Sequence, residues 1–182
     1  MVEVKVNGLF MTQSQASGVI LKEVDGERTL PIIIGDYEAQ SIALGLENIV
    51  PPRPITHDLL LNVLETLGAH IERVIISDLR NNTYYAIIQV RRKTRLYEID
   101  ARPSDAIALA VRQGVSIYVE EEVMRQGAYY PDELEEMGSQ QSDSSQDRLE
   151  RLKKELQEAV EREEYERAAQ IRDEIKKHEQ RQ

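Results

Sequence analysis

Cysteine is absent from the 182 residues of this chain. Its absence excludes a disulfide framework, a thiolate metal site and a thiol nucleophile, and it fits a reducing cytoplasm. No run approaches the ~18 apolar residues of a membrane-spanning helix. The first residues alternate valine with polar side chains and do not form the apolar region of a signal peptide. We therefore expect a cytoplasmic protein with no membrane segment.

Basic residues are also in short supply, because 23 Lys and Arg stand against 33 Asp and Glu and leave a net charge of −10. Phosphate binding usually leaves a basic footprint, so this balance argues mildly against a nucleic-acid partner. One basic run, Arg91, Arg92, Lys93 and Arg95, falls at a predicted hairpin tip. It is either a solvated turn or a contact for an anionic partner.

What the sequence does contain is enough apolar residues for one well-buried domain, at 41% of the chain. Apolar patterning predicts three strands near the start of the chain, at 2–6, 18–24 and 28–34. Helical spacing predicts two helices after them, at 36–48 and 56–67. Proline residues end the first helix, and Gly68 is suited to end the second.

The second half of the domain again reads three strands followed by a helix. Strands are predicted at 71–77, 84–91 and 95–100, a helix at 105–112, and a last short strand at 115–119. Ser104 is a plausible N-cap for the helix, and Gly114 closes it.

An internal repeat follows from the two halves. At a shift of 65 residues, the SIAL string at 41–44 falls on AIAL at 106–109, and Ile34 falls on Ile99. The sequence therefore predicts an α+β fold in residues 1–132, with an internally repeated β3-α motif packed around a pseudo-twofold axis.

The composition changes beyond this domain. Gly, Ser, Gln and Asp residues predict a flexible linker at 133–147. Two narrow apolar stripes then predict a C-terminal antiparallel α-helical hairpin at 148–182, marginal alone and steadier with a partner. Candidate partner contacts in it are Tyr165, Ala168, Ile171 and Arg172.

Four strings carry a family resemblance. Three of them, LPIIIGDYEAQSIALGLE at 30–47, PRPITHDLL at 52–60 and DARPSDAIALAVR at 100–112, resemble the bifunctional nuclease family, named for activity on RNA and DNA. The tail string LQEAVEREEYERAAQIRDEI at 156–175 is similar to the UVR motif, a helical hairpin that joins excinuclease subunits B and C. The resemblance implies phosphodiester hydrolysis with nucleic acid as substrate, and a protein partner for the hairpin.

Hydrolysis of a phosphodiester needs an activated water and groups that neutralise the phosphoryl charge, often with Mg²⁺ or Mn²⁺ held by carboxylates. The catalytic candidates are His57, Asp58, Asp100 and Asp105. The metal-ligand candidates are Glu38, Asp58 and Asp105. Asp58 and Asp105 could instead serve only to favour a helix start, and His57 could only hydrogen-bond its loop.

Two arginines precede a proline at a helix start, Arg53 before Pro54 and Arg102 before Pro103. A guanidinium in that position suits a phosphate, because the helix N-terminus adds backbone donors and positive potential. The structural alternative is an arginine that ties two loops together through Asp100 or Asp58.

Two other functions compete with the nuclease. One is a non-catalytic adaptor in DNA repair or protein quality control, which suits the net acidity and the hairpin. The other is a small-molecule or anion-binding domain. A homo-oligomer is expected in each case, through an exposed strand at 115–119 flanked by Val123, Met124, Tyr129 and Tyr130.

Overall fold

The computed structural model describes residues 1–12 and 15–130. This part of the chain contains one seven-stranded sheet and four helices, so the predicted α+β class is confirmed. The predicted linker at 133–147 and hairpin at 148–182, with Tyr165, Ala168, Ile171 and Arg172, lie outside the described residues.

Along the chain, two helices follow the first three strands, and the next three strands are followed by a helix, a short strand and a last helix. The strands are β1 (Val2–Met11), β2 (Ser17–Glu23), β3 (Thr29–Ile34), β4 (Ala69–Arg80), β5 (Thr83–Arg92), β6 (Arg95–Ala101) and β7 (Ile117–Val119). The helices are α1 (Asp36–Leu46), α2 (Thr56–Thr66), α3 (Pro103–Gln113) and α4 (Glu121–Gly127).

The sheet has the strand order β3-β2-β1-β7-β4-β5-β6. All neighbouring strands are antiparallel except β4 and β7, which are parallel. The short strand β7 therefore joins two three-stranded meanders, and β3 and β6 are the edges. Because α1 follows β3 and α3 follows β6, each of these helices begins where an edge strand ends.

Helix α3 forms the centre of the helical layer. Its residues Ala106, Ile107, Ala108, Leu109 and Ala110 are all buried, and it packs against α1, α2, β4 and β5. The alanines are small enough to let neighbouring elements approach closely. Helix α1 uses a glycine for the same purpose: a Cβ atom at Gly45 would lie only 2.6 Å from Val111 Cγ2.

Most predicted elements are present, with shifted ends. Strand β1 continues past Val6 because the Asn7–Gly8 interruption is accommodated as a bulge in its pairing with β2. Helix α3 begins at Pro103, so Arg102 and not Ser104 occupies the N-cap position. Helix α4 was not predicted, since seven residues give too short an apolar pattern.

The predicted oligomer surface is wrong. Strand β7 lies inside the sheet between β1 and β4, and Val119, Val123 and Met124 are buried in the core. A short apolar strand at the end of a domain resembles an exposed edge in sequence, whereas here it fills the gap between two meanders.

No helix within the described residues is long and apolar enough to cross a membrane.

Candidate active site

Three helix starts meet beside the sheet and bring predicted site residues together. Glu38 lies in the first turn of α1, His57 in the first turn of α2, and Asp105 in the first turn of α3. Arg102, the residue before α3, bridges Asp105 and Glu38.

Arg102 forms the centre of this contact. Its Nε and Nη2 atoms donate to Asp105 Oδ2 and Oδ1 at 2.8 and 3.1 Å, and its Nη1 donates to Glu38 Oε1 at 2.9 Å. These bonds raise the pKa of Arg102 above its ordinary value. The side chain is nevertheless 65% exposed. Its guanidinium can therefore exchange a carboxylate for an external anion without a change in the core.

The Asp105 carboxylate is subject to opposing effects. Partial burial raises the pKa of Asp105, but the hydrogen bonds and charge of Arg102, together with the hydrogen bond to His57, outweigh burial and hold that pKa below its ordinary value. Asp105 is therefore ionised at neutral pH. A carboxylate with a lowered pKa is a weak base, and it is better suited to binding a cation or orienting a donor.

His57 connects Asp105 to a buried hydroxyl. Its Nε2 lies 3.3 Å from Asp105 Oδ1, and its Nδ1 lies 2.9 Å from Ser41 Oγ in α1. Hydroxyl, imidazole and carboxylate thus follow one another as in a nucleophilic triad. Ser41 is only 7% exposed, so its hydroxyl is not open to a phosphodiester.

The contacts continue from Ser41 to Arg112 and Asp58. Arg112 donates from Nη2 to Ser41 Oγ at 3.1 Å, from Nε to Asp58 Oδ1 at 2.9 Å, and from Nη1 to the Ala108 carbonyl at 2.7 Å. Asp58 Oδ2 also accepts the Ile55 backbone N–H at 3.2 Å. This bond at the start of α2 agrees with the prediction that Asp58 could serve to favour a helix start.

Together these residues form one continuous set of hydrogen bonds across α1, α2 and α3, which we call the polar network. Its members are Glu38, Arg102, Asp105, His57, Ser41, Arg112 and Asp58. The sequence alone did not point to Ser41 and Arg112. The only signal for them was a polar residue in otherwise apolar helical strings.

A cavity lies at each end of the polar network. The cavity beside Glu38 and Arg102, of about 360 Å³, is also lined by Gly35 and by Asn82 to Tyr84 at the start of β5; we call it the Arg102 cavity. The other, of about 410 Å³, is lined by Asp58, Arg112 and apolar residues of α1, α2 and the connection between them. Both α1 and α3 begin at the wall of the Arg102 cavity.

Two predicted site residues take no part in the polar network. Arg53 is exposed before α2, and Asp100 is exposed near the end of β6. Neither forms a salt bridge within the described residues. The predicted alternative of an Arg clamp to Asp100 or Asp58 is therefore wrong in its partners, because Arg102 binds Asp105 and Glu38 and Asp58 binds Arg112.

The predicted metal-ligand carboxylates, Glu38, Asp58 and Asp105, provide few oxygen atoms for a cation. Within 1–12 and 15–130, no three His, Asp or Glu side chains are grouped to hold a metal ion. Glu38 and Asp105 are close enough to share Arg102, which binds one Glu38 oxygen and both Asp105 oxygens, and both Asp58 oxygens bind Arg112 and Ile55. Mg²⁺ commonly binds through one or two carboxylates together with substrate phosphates and water. On the Glu38 and Asp105 pair a cation would share the carboxylate oxygens with the exposed Arg102, whereas Asp58 binds Arg112, whose side chain is only 8% exposed.

Fold and site together define an α+β domain with an acidic pair, an exposed arginine and a partly buried imidazole at its helix starts. The bifunctional nuclease domain model matches residues 19–132, a range that includes the whole polar network, and the UvrB/uvrC motif model matches 146–181. The chain belongs to the bifunctional nuclease domain family and carries the UvrB/uvrC motif.

Individual relatives agree with this family. An uncharacterized protein of Mycobacterium tuberculosis strain H37Rv is 45% identical over 136 residues, which cover 74% of this chain and 81% of that protein. Bifunctional nuclease 1 of Oryza sativa subsp. japonica is 30% identical over 105 residues, 56% of this chain and 32% of the plant protein. Bifunctional nuclease 2 of Arabidopsis thaliana is 29% identical over 107 residues, 57% of this chain and 32% of that protein.

Proposed function

We propose that this protein hydrolyses the phosphodiester bonds of RNA and DNA at the Arg102 cavity. The observation that carries the proposal is the exposed Arg102 guanidinium, held between two carboxylates where α1 and α3 begin. Family membership gives the reaction class, since relatives of this chain are named bifunctional nucleases.

Phosphate binding falls to Arg102 and Arg53. Arg102 is preformed in an extended backbone before Pro103, with its charge at the cavity wall. Phosphate would replace one of its two carboxylate partners and would also receive the backbone donors at the start of α3. Arg53 is exposed and forms no salt bridge with any described residue, and it would bind a neighbouring phosphate of the strand.

Metal assistance is part of the proposal. Glu38 and Asp105 would hold Mg²⁺ or Mn²⁺ together with phosphate oxygens, and the cation would supply Lewis-acid stabilisation of the phosphoryl oxygens. Asp58 is better assigned to the α2 start and to Arg112. Asp100, on β6 two residues before Arg102, is the remaining carboxylate and would make an outer contact to the substrate.

EDTA is expected to reduce cleavage of RNA and DNA by about two orders of magnitude or more, because the electrostatic contribution of a catalytic cation is several kcal/mol. Excess Mg²⁺ or Mn²⁺ should restore cleavage in a fluorescent oligonucleotide assay. An Asp105→Asn preparation purified in parallel controls for contaminating nucleases. Unchanged cleavage in EDTA would exclude the metal.

The adaptor function remains the second candidate. The UvrB/uvrC motif match favours it, as does the net charge of −10. In that case the polar network only joins three helices. Purified protein that leaves RNA and DNA uncut with Mg²⁺ or Mn²⁺ would favour the adaptor over the nuclease.

We also infer that the two meanders are an internal repeat around a pseudo-twofold axis. The starts of α1 and α3 are 67 residues apart, and so are Glu38 and Asp105, the two carboxylates that bind Arg102. This register differs by two residues from the shift of 65 found in the sequence. Gly35 then corresponds to Arg102, so one half would supply the arginine and both halves a carboxylate.

The C-terminal motif is proposed to bind a protein partner. Residues 146–181 match the UvrB/uvrC motif, and the contact candidates Tyr165, Ala168, Ile171 and Arg172 all fall inside that match. Two short helices with narrow apolar stripes bury little area alone, so a partner would add most of their stability.

A homo-oligomer is proposed through β6, in place of the 115–119 surface. The edge strand β3 contains Pro31 and is bridged at Thr29 by Tyr129, both of which limit further pairing. Strand β6 contains no proline, and no isolated bridge covers it within residues 1–12 and 15–130. Its Tyr97 and Ile99 are 44% and 46% exposed, although they extend the apolar row of β5.

Light scattering is expected to give twice the 20.9 kDa mass of one chain. Tyr97→Lys with Ile99→Lys should give a monomer, because charges on an edge strand oppose pairing. The control Val24→Lys, at an exposed position outside β6, should stay dimeric. Deletion of 140–182 should also leave the mass dimeric, with a melting temperature within a few degrees. A monomeric deletion variant would place the contact in the tail.

A further inference from the structure

The geometry around His57 defines where its proton lies. We infer that Ser41 and Arg112 are positioning residues that hold the neutral His57 ring in the tautomer with the proton on Nε2. Their role in catalysis rests on the proposed function, whereas the tautomer itself rests only on the hydrogen bonds.

The contact at Nε2 requires this nitrogen to donate a hydrogen bond. Asp105 Oδ1 lies 3.3 Å from Nε2, and an ionised carboxylate can only accept hydrogen bonds. Arg102 donates to both Asp105 oxygens and favours this ionised form. An Nε2 lone pair directed at that carboxylate would be repelled. Nε2 must therefore carry a proton.

The contacts at Nδ1 require this nitrogen to accept a hydrogen bond when the ring is neutral. Ser41 Oγ accepts a hydrogen bond from Arg112 Nη2, and a guanidinium has no acceptor to offer in return. Within the described residues, no other acceptor is bonded to Ser41 Oγ. Its one hydroxyl proton is therefore directed to His57 Nδ1 at 2.9 Å.

Arg112 makes this direction persistent. Its side chain is only 8% exposed, and it also binds Asp58 Oδ1 and the Ala108 carbonyl. Three bonds to three different groups hold the guanidinium in place. The Nη2 atom therefore remains bonded to Ser41 Oγ. Because it occupies the acceptor side of the hydroxyl, the hydroxyl proton stays directed at His57 Nδ1.

This arrangement limits what His57 can do in hydrolysis. The neutral ring has no free lone pair on the Asp105 side, so His57 does not accept a proton there from water. It donates to Asp105 and fixes the carboxylate that binds Arg102. Water activation then falls to the Glu38 carboxylate.

The test is ¹⁵N NMR of the full chain labelled at histidine, at a pH about two units above the ordinary histidine pKa of ~6.5. His70→Gln and His178→Gln variants assign the signals of the other two histidines and leave those of His57 by elimination. The expected spectrum has a protonated Nε2 and an unprotonated, hydrogen-bonded Nδ1. A protonated Nδ1 in the wild-type chain would overturn the inference, and this result requires no site variant that might fail to fold.

Ser41→Ala supplies the functional arm. We expect the Nδ1 resonance to shift to that of a nitrogen without a hydrogen bond. We also expect kcat to fall about 10-fold with little change in KM, which is the scale found when a residue that orients an active-site group is replaced. Ser41→Thr should restore both. Ser116→Ala, which removes an exposed hydroxyl bonded to Glu3, is the matched control. An unshifted Nδ1 resonance in Ser41→Ala would contradict the role of Ser41.

The two failures can be told apart. If the wild-type chain cleaves no nucleic acid, the proposed function fails while the tautomer measurement still stands. If it cleaves nucleic acid but carries the proton on Nδ1, the inference alone fails.

Discussion

Arg102→Ala is expected to lower nuclease activity about 100-fold or more, the scale found when one preorganised donor to a reacting oxyanion is removed. The variant loses the guanidinium at the Arg102 cavity and leaves Glu38 and Asp105 without their shared counter-ion. Arg102→Lys should recover only part of the activity, because a lysine ammonium cannot bind two oxygens side by side. Initial rates on RNA and on single-stranded DNA measure the effect.

The matched control is Arg125→Ala. Arg125 is 66% exposed and forms an i,i+3 ion pair with Glu122 in α4, as Arg102 does with Asp105. It lies outside the polar network, so activity should stay within about twofold. Equal losses in the two variants would mean that Arg102 acts through general charge, and full activity in Arg102→Ala would remove it from the phosphate site.

Arg112→Met is expected to destabilise the domain by about 3 kcal/mol, the scale for removing one partner of a buried ion pair. The change leaves Asp58 without its cation, and it removes donors from Ser41 and the Ala108 carbonyl. For a domain of this size the melting temperature should fall by about 10 °C. Differential scanning calorimetry without nucleic acid measures this separately from catalysis.

Two further variants define the origin of that loss. Arg80→Met removes an exposed arginine paired with Asp78 and should change the unfolding free energy by no more than about 0.5 kcal/mol. Arg112→Met combined with Asp58→Asn should be more stable than Arg112→Met alone, since no uncompensated carboxylate remains. A stable Arg112→Met protein would show that apolar packing holds α1, α2 and α3 together without the polar network.

Local patterns were sufficient to predict most elements of the domain. Apolar patterning predicted all seven strands, and Gly114, with a φ of 68°, ends α3 in the left-handed conformation expected for a helix terminus. These features depend on neighbouring residues, which is why a single sequence was informative. Helix α4 was missed because seven residues carry too little periodicity.

Strand order could not be predicted in the same way. Strand β7 has the composition of an edge strand, yet it pairs with β1 and β4 in the middle of the sheet. Its place depends on which hydrogen-bonding edges the two meanders leave open. The oligomer surface assigned to it was wrong for that reason, and no local pattern could have corrected it.

The candidate site, like the fold, was predictable where it depends on local sequence and not where it depends on tertiary packing. The sequence by itself determined that His57, Asp105, Arg102 and Glu38 stand at helix starts, because glycine, proline and charged residues mark those positions locally. Only the tertiary structure decided their partners. Arg102 binds Glu38 across 64 residues of sequence, and Arg112 reaches Ser41 across 71. Such pairs form only once α1, α2 and α3 pack on one sheet, and charge and spacing along the chain do not encode which side chains that packing brings within hydrogen-bond distance.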